Sequence, residues 1–522
     1  MIDIDHRGSG HLRLVRSLYR GVPTQRPRAD SQRASRASEL HGLRLVRAVL
    51  PRRGDLGRSN RPTPRPPPGL GGPTGAGTRY ERSVREWIGQ GCLSRQSRHF
   101  SRGTGGIGFC IRPYFRRGIA GGYPHAVALF HAGEPARFDG PSRLSFVSAP
   151  SGSVVAHLPG RATPVGTKAF RDRGTRDRRL PPSHFRDAPG DLSLSSIGLG
   201  TYIGSPDAPT DLAVEQAVTI CLTSGRVNVL DTAINYLYQR AERSVGRALA
   251  RVVAAGDVNR SSVFLASKNG YFAPDAESGV PPDRWIAEEL VRPGILDPGD
   301  IVDGCHAMSR SYLADQFLRT RRNLGVEVVD LLYLHNAPDA QIPAVGRDTF
   351  LSRLEEAFRL YEEFRDSGHL VSYGLATWDS LRIAPDAPGY LALETAVRVA
   401  REVGGTDHGF RFVQFPFNLA MPEAIRDRNQ PVGGEKRTLF DAARRLGLGC
   451  FTSVPLLQGQ LARAGPRREG FTAAQTALQF ARSAPGTLAP LVGQKRSEHL
   501  SENLELAGRP PWGAKEFVSL LG

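Results

Sequence analysis

At 522 residues the chain has room for two to four average domains, or for one barrel with a large extra segment. No run approaches the roughly 20 apolar residues of a membrane span, and the opening MIDIDHRGSGHLRLVRSLYRG lacks the continuous apolar stretch of a secretory signal. Five scattered cysteines (Cys92, Cys110, Cys221, Cys305, Cys450) form no Cys-x-x-Cys pair and have no histidine at zinc spacing, which excludes a structural zinc site and fits a soluble protein of the reducing cytoplasm. The net charge of +18 is uneven: residues 1–160 hold 26 Arg, no Lys and 9 acidic residues, whereas residues 161–522 hold 43 basic and 42 acidic ones.

In chain order, residues 1–160 come first as an Arg/Pro/Gly-rich stretch, with runs such as RPTPRPPPGLGGPTGAG (61–77) and no sustained apolar periodicity. They are expected to be a disordered extension. Two roles are open for it. It is either a basic arm that binds nucleic acid through phosphate contacts, or an extension without a role, such as an overextended reading frame. Arginines without interleaved lysines or stacking aromatics weaken the first, so nucleic acid is expected as a partner only through this segment, and a membrane not at all.

Residues 161–522 read differently. A lead-in hairpin is expected over 180–195. Short β-rich runs then alternate with segments of helical period: strands at 196–202, 227–233, 263–269, 328–335, 371–378, 410–418, 449–456 and 487–493. Helices are expected at 211–224, 240–253, 310–324, 350–367, 388–403, 438–446, 472–484 and 497–507. Eight strand–helix units predict an α/β fold, a closed (β/α)8 TIM barrel. An open doubly wound sheet is the alternative, but no Gly-x-Gly-x-x-Gly turn follows the first strand. Cys221 and Cys450 lie in apolar runs and read as buried, inert thiols. The long connection 271–309 is either a functional lid or a disordered insert.

In such a barrel the chemistry sits where strands end. Those ends carry Asp231 and Tyr236 after the second strand, Lys268 after the third and His335 after the fourth. Each alone has a bland explanation: a loop cap, a rim aromatic, a surface amine, a strand-end histidine. On adjacent strands, four complementary titratable groups are hard to assign to chance.

These residues sit in longer motifs. DTAINYLYQRAERSVGRAL (231–249), with Glu242 and Gly246, FLASKNG (264–270), VVDLLYLHN (328–336), VQFPFN (413–418), PLLQGQL (455–461) and VGQKRSEHLSENL (492–504) occur in one order. Together they resemble the aldo-keto reductase family over most of 190–505. The resemblance implies NAD(P)H-dependent reduction of a small-molecule carbonyl (an aldehyde, a ketone or a sugar-like compound) by hydride transfer. Tyr236 would donate the proton, Lys268 would favour the phenolate left behind, Asp231 would hold Lys268, and His335 would orient the carbonyl. For the cofactor it implies Gln414 at the nicotinamide carboxamide and Pro455, Leu456, Gly459 and Leu461 along the pyrophosphate. Gly493, Lys495, His499, Glu502 and Asn503 would hold the adenosine end. Lys495 is the candidate for a 2′-phosphate, favouring NADP(H) with NAD(H) as the alternative; Arg496 could share that role or be a solvated cation.

One run departs from the family. Where Gly-x-Ser-Asn is usual, this chain has Gly374-Leu375-Ala376-Thr377-Trp378. Ala376 cannot make the serine's bond, so the carboxamide grip is expected to fall to Thr377 and Gln414. Trp378 either lines the substrate pocket or is a rim aromatic with no ligand. A rival reading keeps the cofactor and drops the turnover: a barrel that reports redox state to a partner.

Overall fold

The computed structural model describes residues 157–521. The disordered arm expected over 1–160 falls almost wholly outside the described residues, as do Cys92 and Cys110. A hairpin of β1 (Phe185–Ala188) and β2 (Leu192–Ser195) comes first. Then β3 (Gly198–Gly200), β4 (Val229–Asp231), β5 (Phe264–Asn269), β6 (Val329–His335), β7 (Leu370–Ala376) and β8 (Phe410–Pro416) follow. A side hairpin of β9 (Gln430–Val432) and β10 (Glu435–Arg437) precedes β11 (Gly449–Ser453) and β12 (Thr487–Val492). The eight strands β3 to β8, β11 and β12 are parallel and close into a barrel in the order β11-β12-β3-β4-β5-β6-β7-β8. All eight expected strands are present, each within its expected span give or take a residue, and all eight expected helices are found.

Alternation along the strands sorts side chains into two layers. On β5, Phe264 and Ala266 join the interior cluster while Leu265 joins the outer one; on β6, Leu331 and Tyr333 go in while Leu332 and Leu334 go out. The outer layer packs against the helices and holds Cys221 and Cys450. Burial pushes both thiols up, Cys221 to about 12, which keeps them protonated. The interior is plugged at its N-terminal end by Leu192 and Leu194 of the hairpin, together with Phe264, Phe412 and Phe451. Those three rings lie 5.4 to 5.8 Å apart. The same period carried two or four residues further puts Asp231, Lys268 and Gln414 above this plug, at the C-terminal mouth.

Several elements were not legible, among them the side hairpin and two segments that brace the barrel. A helix, Pro164–Asp177, packs under the barrel, capped by Thr163 Oγ1 accepting from the Gly166 amide at 3.0 Å. Its buried face is Gly166, Thr167, Phe170 and Gly174, so it carries no apolar stripe to read. The connection 271–309 is folded: Phe272, Trp285, Ile286, Leu290, Val291, Leu296, Ile301 and Ala307 pack with Tyr312 into a core of their own.

The lead-in segment is tied to the barrel by one buried carboxylate. Asp330, on β6, accepts from the Ala162 amide at 2.7 Å, the Leu265 amide at 2.9 Å and Arg260 at 2.8 Å. Leu158 adds a backbone bond to Gly325 O at 2.7 Å. Arg260 and Asp330 are both buried, so removing the acid strands a guanidinium and two amides away from water. Asp330→Ala is therefore expected to cost about 3–5 kcal/mol of unfolding free energy, measured by denaturant titration. A loss under about 1 kcal/mol, the level of a surface pair, would contradict the assignment.

Candidate active site

Four strand ends converge at the mouth. Lys268 Nζ donates to Asp231 Oδ1 at 2.5 Å and to the Thr232 carbonyl at 2.9 Å, while Gln414 Nε2 donates to Asp231 Oδ2 at 2.9 Å. The Lys268 ammonium lies 4.9 Å from the centre of the Tyr236 ring. That ring meets His335 edge-on at 5.7 Å. The structure thus brings together the four residues that the strand ends single out, with Gln414 as a fifth.

Burial dominates their electrostatics. It pushes the Asp231 carboxyl up and the Lys268 ammonium down, each opposed by the other's charge across the short contact. It also raises Tyr236 well above an ordinary phenol, reinforced by Asp231 and by the neighbouring Tyr202 and Tyr271. His335 is held well below an ordinary imidazole by burial, then by Lys268 and His306. The resting site therefore has a protonated phenol and a neutral imidazole.

Tyr236 is presented by an unusual turn. Leu237, Tyr238 and Gln239 are all left-handed, with φ of 51°, 52° and 72°, a conformation that side chains with a Cβ resist. Tertiary bonds hold it: Gln239 Nε2 donates to Ala273 O at 2.8 Å, and the Ala276 amide donates to Tyr238 O at 3.3 Å. Helix Arg240–Ala254 starts immediately after the turn. From it Glu242, fully buried with its carboxyl pushed up by burial, accepts from Ser267 at 2.6 Å, next to Lys268. Gly246 lets this helix approach the next one; a Cβ there would lie 2.5 Å from Leu324 O.

The sequence reading missed the share of 271–309 in the site. Tyr271 meets His335 edge-on at 5.0 Å and His306 at 5.1 Å. Tyr202, half exposed at the lip, lies 5.0 Å from Tyr236. Only the place of Tyr271, three residues after Lys268, could have signalled it. Among the described residues no group of His, Cys, Asp and Glu could hold a metal ion, and no helix is long and apolar enough to cross a membrane.

The cofactor candidates line the mouth's other side. Thr377 follows β7, its amide bonded to Gln414 O at 2.8 Å and its hydroxyl buried without a partner. Gln414 gives one amide N–H to Asp231. The loop after β11, with Pro455, Leu456, Gly459 and Leu461, is held in an irregular path: Val454, Leu457 and Gln458 have φ of 48°, 47° and 54°. After β12, Gly493 and His499 are exposed, Glu502 accepts from Thr472, and Asn503 Oδ1 is buried without a partner. Lys495 packs against Gly204 with its Nζ also buried and unpartnered, and burial lowers its pKa. Trp378 is 40% exposed on the rim, and the amides of Trp378, Asp379 and Ser380 all donate to Asp339. Orphaned donors at Lys495 and Thr377 are what an anionic, amide-bearing nucleotide would satisfy.

The sequence model described as the aldo/keto reductase family matches residues 196–467, just over half of the chain, from the approach to β3 through the loop after β11. Solved structures similar to the chain include an aldo/keto reductase from Klebsiella pneumoniae in complex with NADP and acetate. It is 18% identical over 65% of this chain and 94% of that one, with a TM-score of 0.44. An aldo-keto reductase from Bacillus halodurans in its holo form is 17% identical over 64% of this chain and 94% of that one, again with a TM-score of 0.44.

Proposed function

This chain belongs to the aldo/keto reductase family, a family of NAD(P)H-dependent oxidoreductases, and within it we propose that the chain reduces an aldehyde, ketone or sugar-like carbonyl to an alcohol, using NADPH and Tyr236 as proton donor. The observation that carries this is the buried Asp231–Lys268 pair set against the ring of Tyr236, with His335 beside it.

When bound, the nicotinamide supplies the hydride for the carbonyl carbon. As charge develops on the carbonyl oxygen, Tyr236 gives up its hydroxyl proton to it. The burial that holds Tyr236 protonated ensures that only a strongly basic oxygen, such as a nascent alkoxide, takes that proton. The phenolate left behind lies against the Lys268 ammonium, which Asp231 and Thr232 O keep in place. His335, neutral, donates a hydrogen bond to the carbonyl oxygen and holds the substrate for attack. Gln414 gives one N–H to Asp231 and keeps its carbonyl oxygen and second N–H for the carboxamide, beside the unpartnered hydroxyl of Thr377. Lys495 would meet the 2′-phosphate, and Asn503 with Glu502 the adenosine.

Two measurements follow. Tyr236→Phe keeps the ring and removes the proton, so kcat for carbonyl reduction should fall by a factor of about 10² or more, with NADPH affinity by fluorescence quenching within a few-fold of the parent. Near-parental turnover would remove Tyr236 from the role, and a parent that binds NADPH tightly but reduces no carbonyl in a broad panel would favour redox reporting. Lys495→Ala should weaken NADPH binding by roughly 1–3 kcal/mol, the scale of a charge-assisted hydrogen bond, and leave NADH binding nearly unchanged. Equal losses for both cofactors would point to general disruption of the loop.

A further inference from the structure

His306, near the end of 271–309, has no place in the motifs above, yet it is fully buried against the end of β6. The strand leaves the barrel abruptly there: Asn336, directly after His335, is left-handed with φ 50° and ψ 30°. The Asn336 amide still bonds to β7, at 2.6 Å from Ala376 O. The His335 carbonyl is met instead by His306 Nε2 at 3.1 Å.

The direction of that bond can be deduced from its other end. Arg353 donates to Gln341 Oε1 at 2.7 Å, and a guanidinium can only donate. That fixes the oxygen of Gln341 toward Arg353 and its Nε2 toward His306 Nδ1, 3.0 Å away. An amide nitrogen donates, so Nδ1 accepts, and the proton of a neutral His306 is on Nε2, pointing at the His335 carbonyl. Burial lowers His306 to about 4, consistent with the neutral form. The residue itself is anchored. Its backbone exchanges both bonds with Val302, at 3.0 and 2.8 Å. Gly270, at φ 116°, leaves the room its ring occupies: a Cβ there would lie 2.7 Å from Nε2.

We propose that His306 is a positioning residue: its Nε2–H bond to the His335 carbonyl fixes the left-handed exit from β6 and so aims the His335 imidazole at the substrate, with the Arg353–Gln341 pair setting the tautomer that makes the bond possible. The insert 271–309 thereby becomes part of the working site rather than a lid over it. The inference rests on the carbonyl-reductase reading, because it presumes that the aim of His335 matters for turnover.

The test compares His306→Gln with His306→Asn in the full chain. Both keep a polar amide, but only the glutamine side chain is long enough to replace Nε2 as donor to His335. The Gln variant should retain kcat within about threefold of the parent. The Asn variant should lose roughly ten- to a hundredfold in kcat, the scale of a misplaced catalytic group. NADPH dissociation constants for both should match the parent, since the change lies on the substrate side. Equal kcat for the two folded variants would overturn the proposal. So would a Gln variant that binds NADPH normally yet turns over more than tenfold slower, which decides the matter even if the Asn variant does not fold. Failure of the functional reading itself would show on the parent alone, as tight NADPH binding without carbonyl reduction.

Discussion

Two opposite charges placed where almost no water reaches set the terms for the rest of this molecule. Lys268 is fully buried and Asp231 is 5% exposed, and withdrawing such groups from water costs several kcal/mol per ion. Their 2.5 Å contact, the Thr232 carbonyl and the Gln414 amide offset that cost, but well-packed apolar side chains would stabilise a barrel mouth at least as well. The pair is better understood through what lies against it. In the proposed reaction Tyr236 loses a proton in a site that resists negative charge, and the ammonium beside its ring is the local compensation.

The surrounding structure keeps these groups where the chemistry needs them. Tyr236 stands on three successive left-handed residues, and His335 stands before a fourth at Asn336. Such backbone persists only when tertiary bonds over-determine it. Here the bonds come from the 271–309 segment: Ala273 O and the Ala276 amide hold the first turn, and His306 holds the second. Asp275 adds a two-pronged ion pair to Arg243, with bonds of 2.8 and 2.5 Å, on the helix that follows Tyr236. The same segment therefore braces both groups proposed to touch the carbonyl oxygen.

Much of this was legible in the sequence, for reasons that are physical. Runs such as VVDLLYLH (328–335) are buried on both faces, so they stand out as strands, and their ends mark the mouth. Asp231, Lys268 and His335 could be placed there without knowing a single contact. The helix Pro164–Asp177 was hidden because Phe170 is the one large apolar residue on its buried face. His306 was hidden because nothing local distinguishes it, its partners Gln341 and His335 being 29 or more residues away, and Tyr271 gave no signal beyond its place three residues after Lys268. How strongly burial raises Tyr236 was hidden for a related reason. A neighbouring cation can be inferred from a motif, whereas the extent of burial is a property of the whole fold.

Transfer of hydrogen from the cofactor to the substrate carbon is the central claim, and it can be followed directly. The parent protein would be incubated with an aldehyde it consumes and NADPH deuterated at the transferable position of nicotinamide C4, and the alcohol analysed by mass spectrometry and NMR. Hydride transfer in this site predicts one deuterium on the carbinol carbon and none on the hydroxyl after exchange with water. An alcohol free of deuterium, or NADPH bound and never oxidised whichever carbonyl is offered, would contradict it.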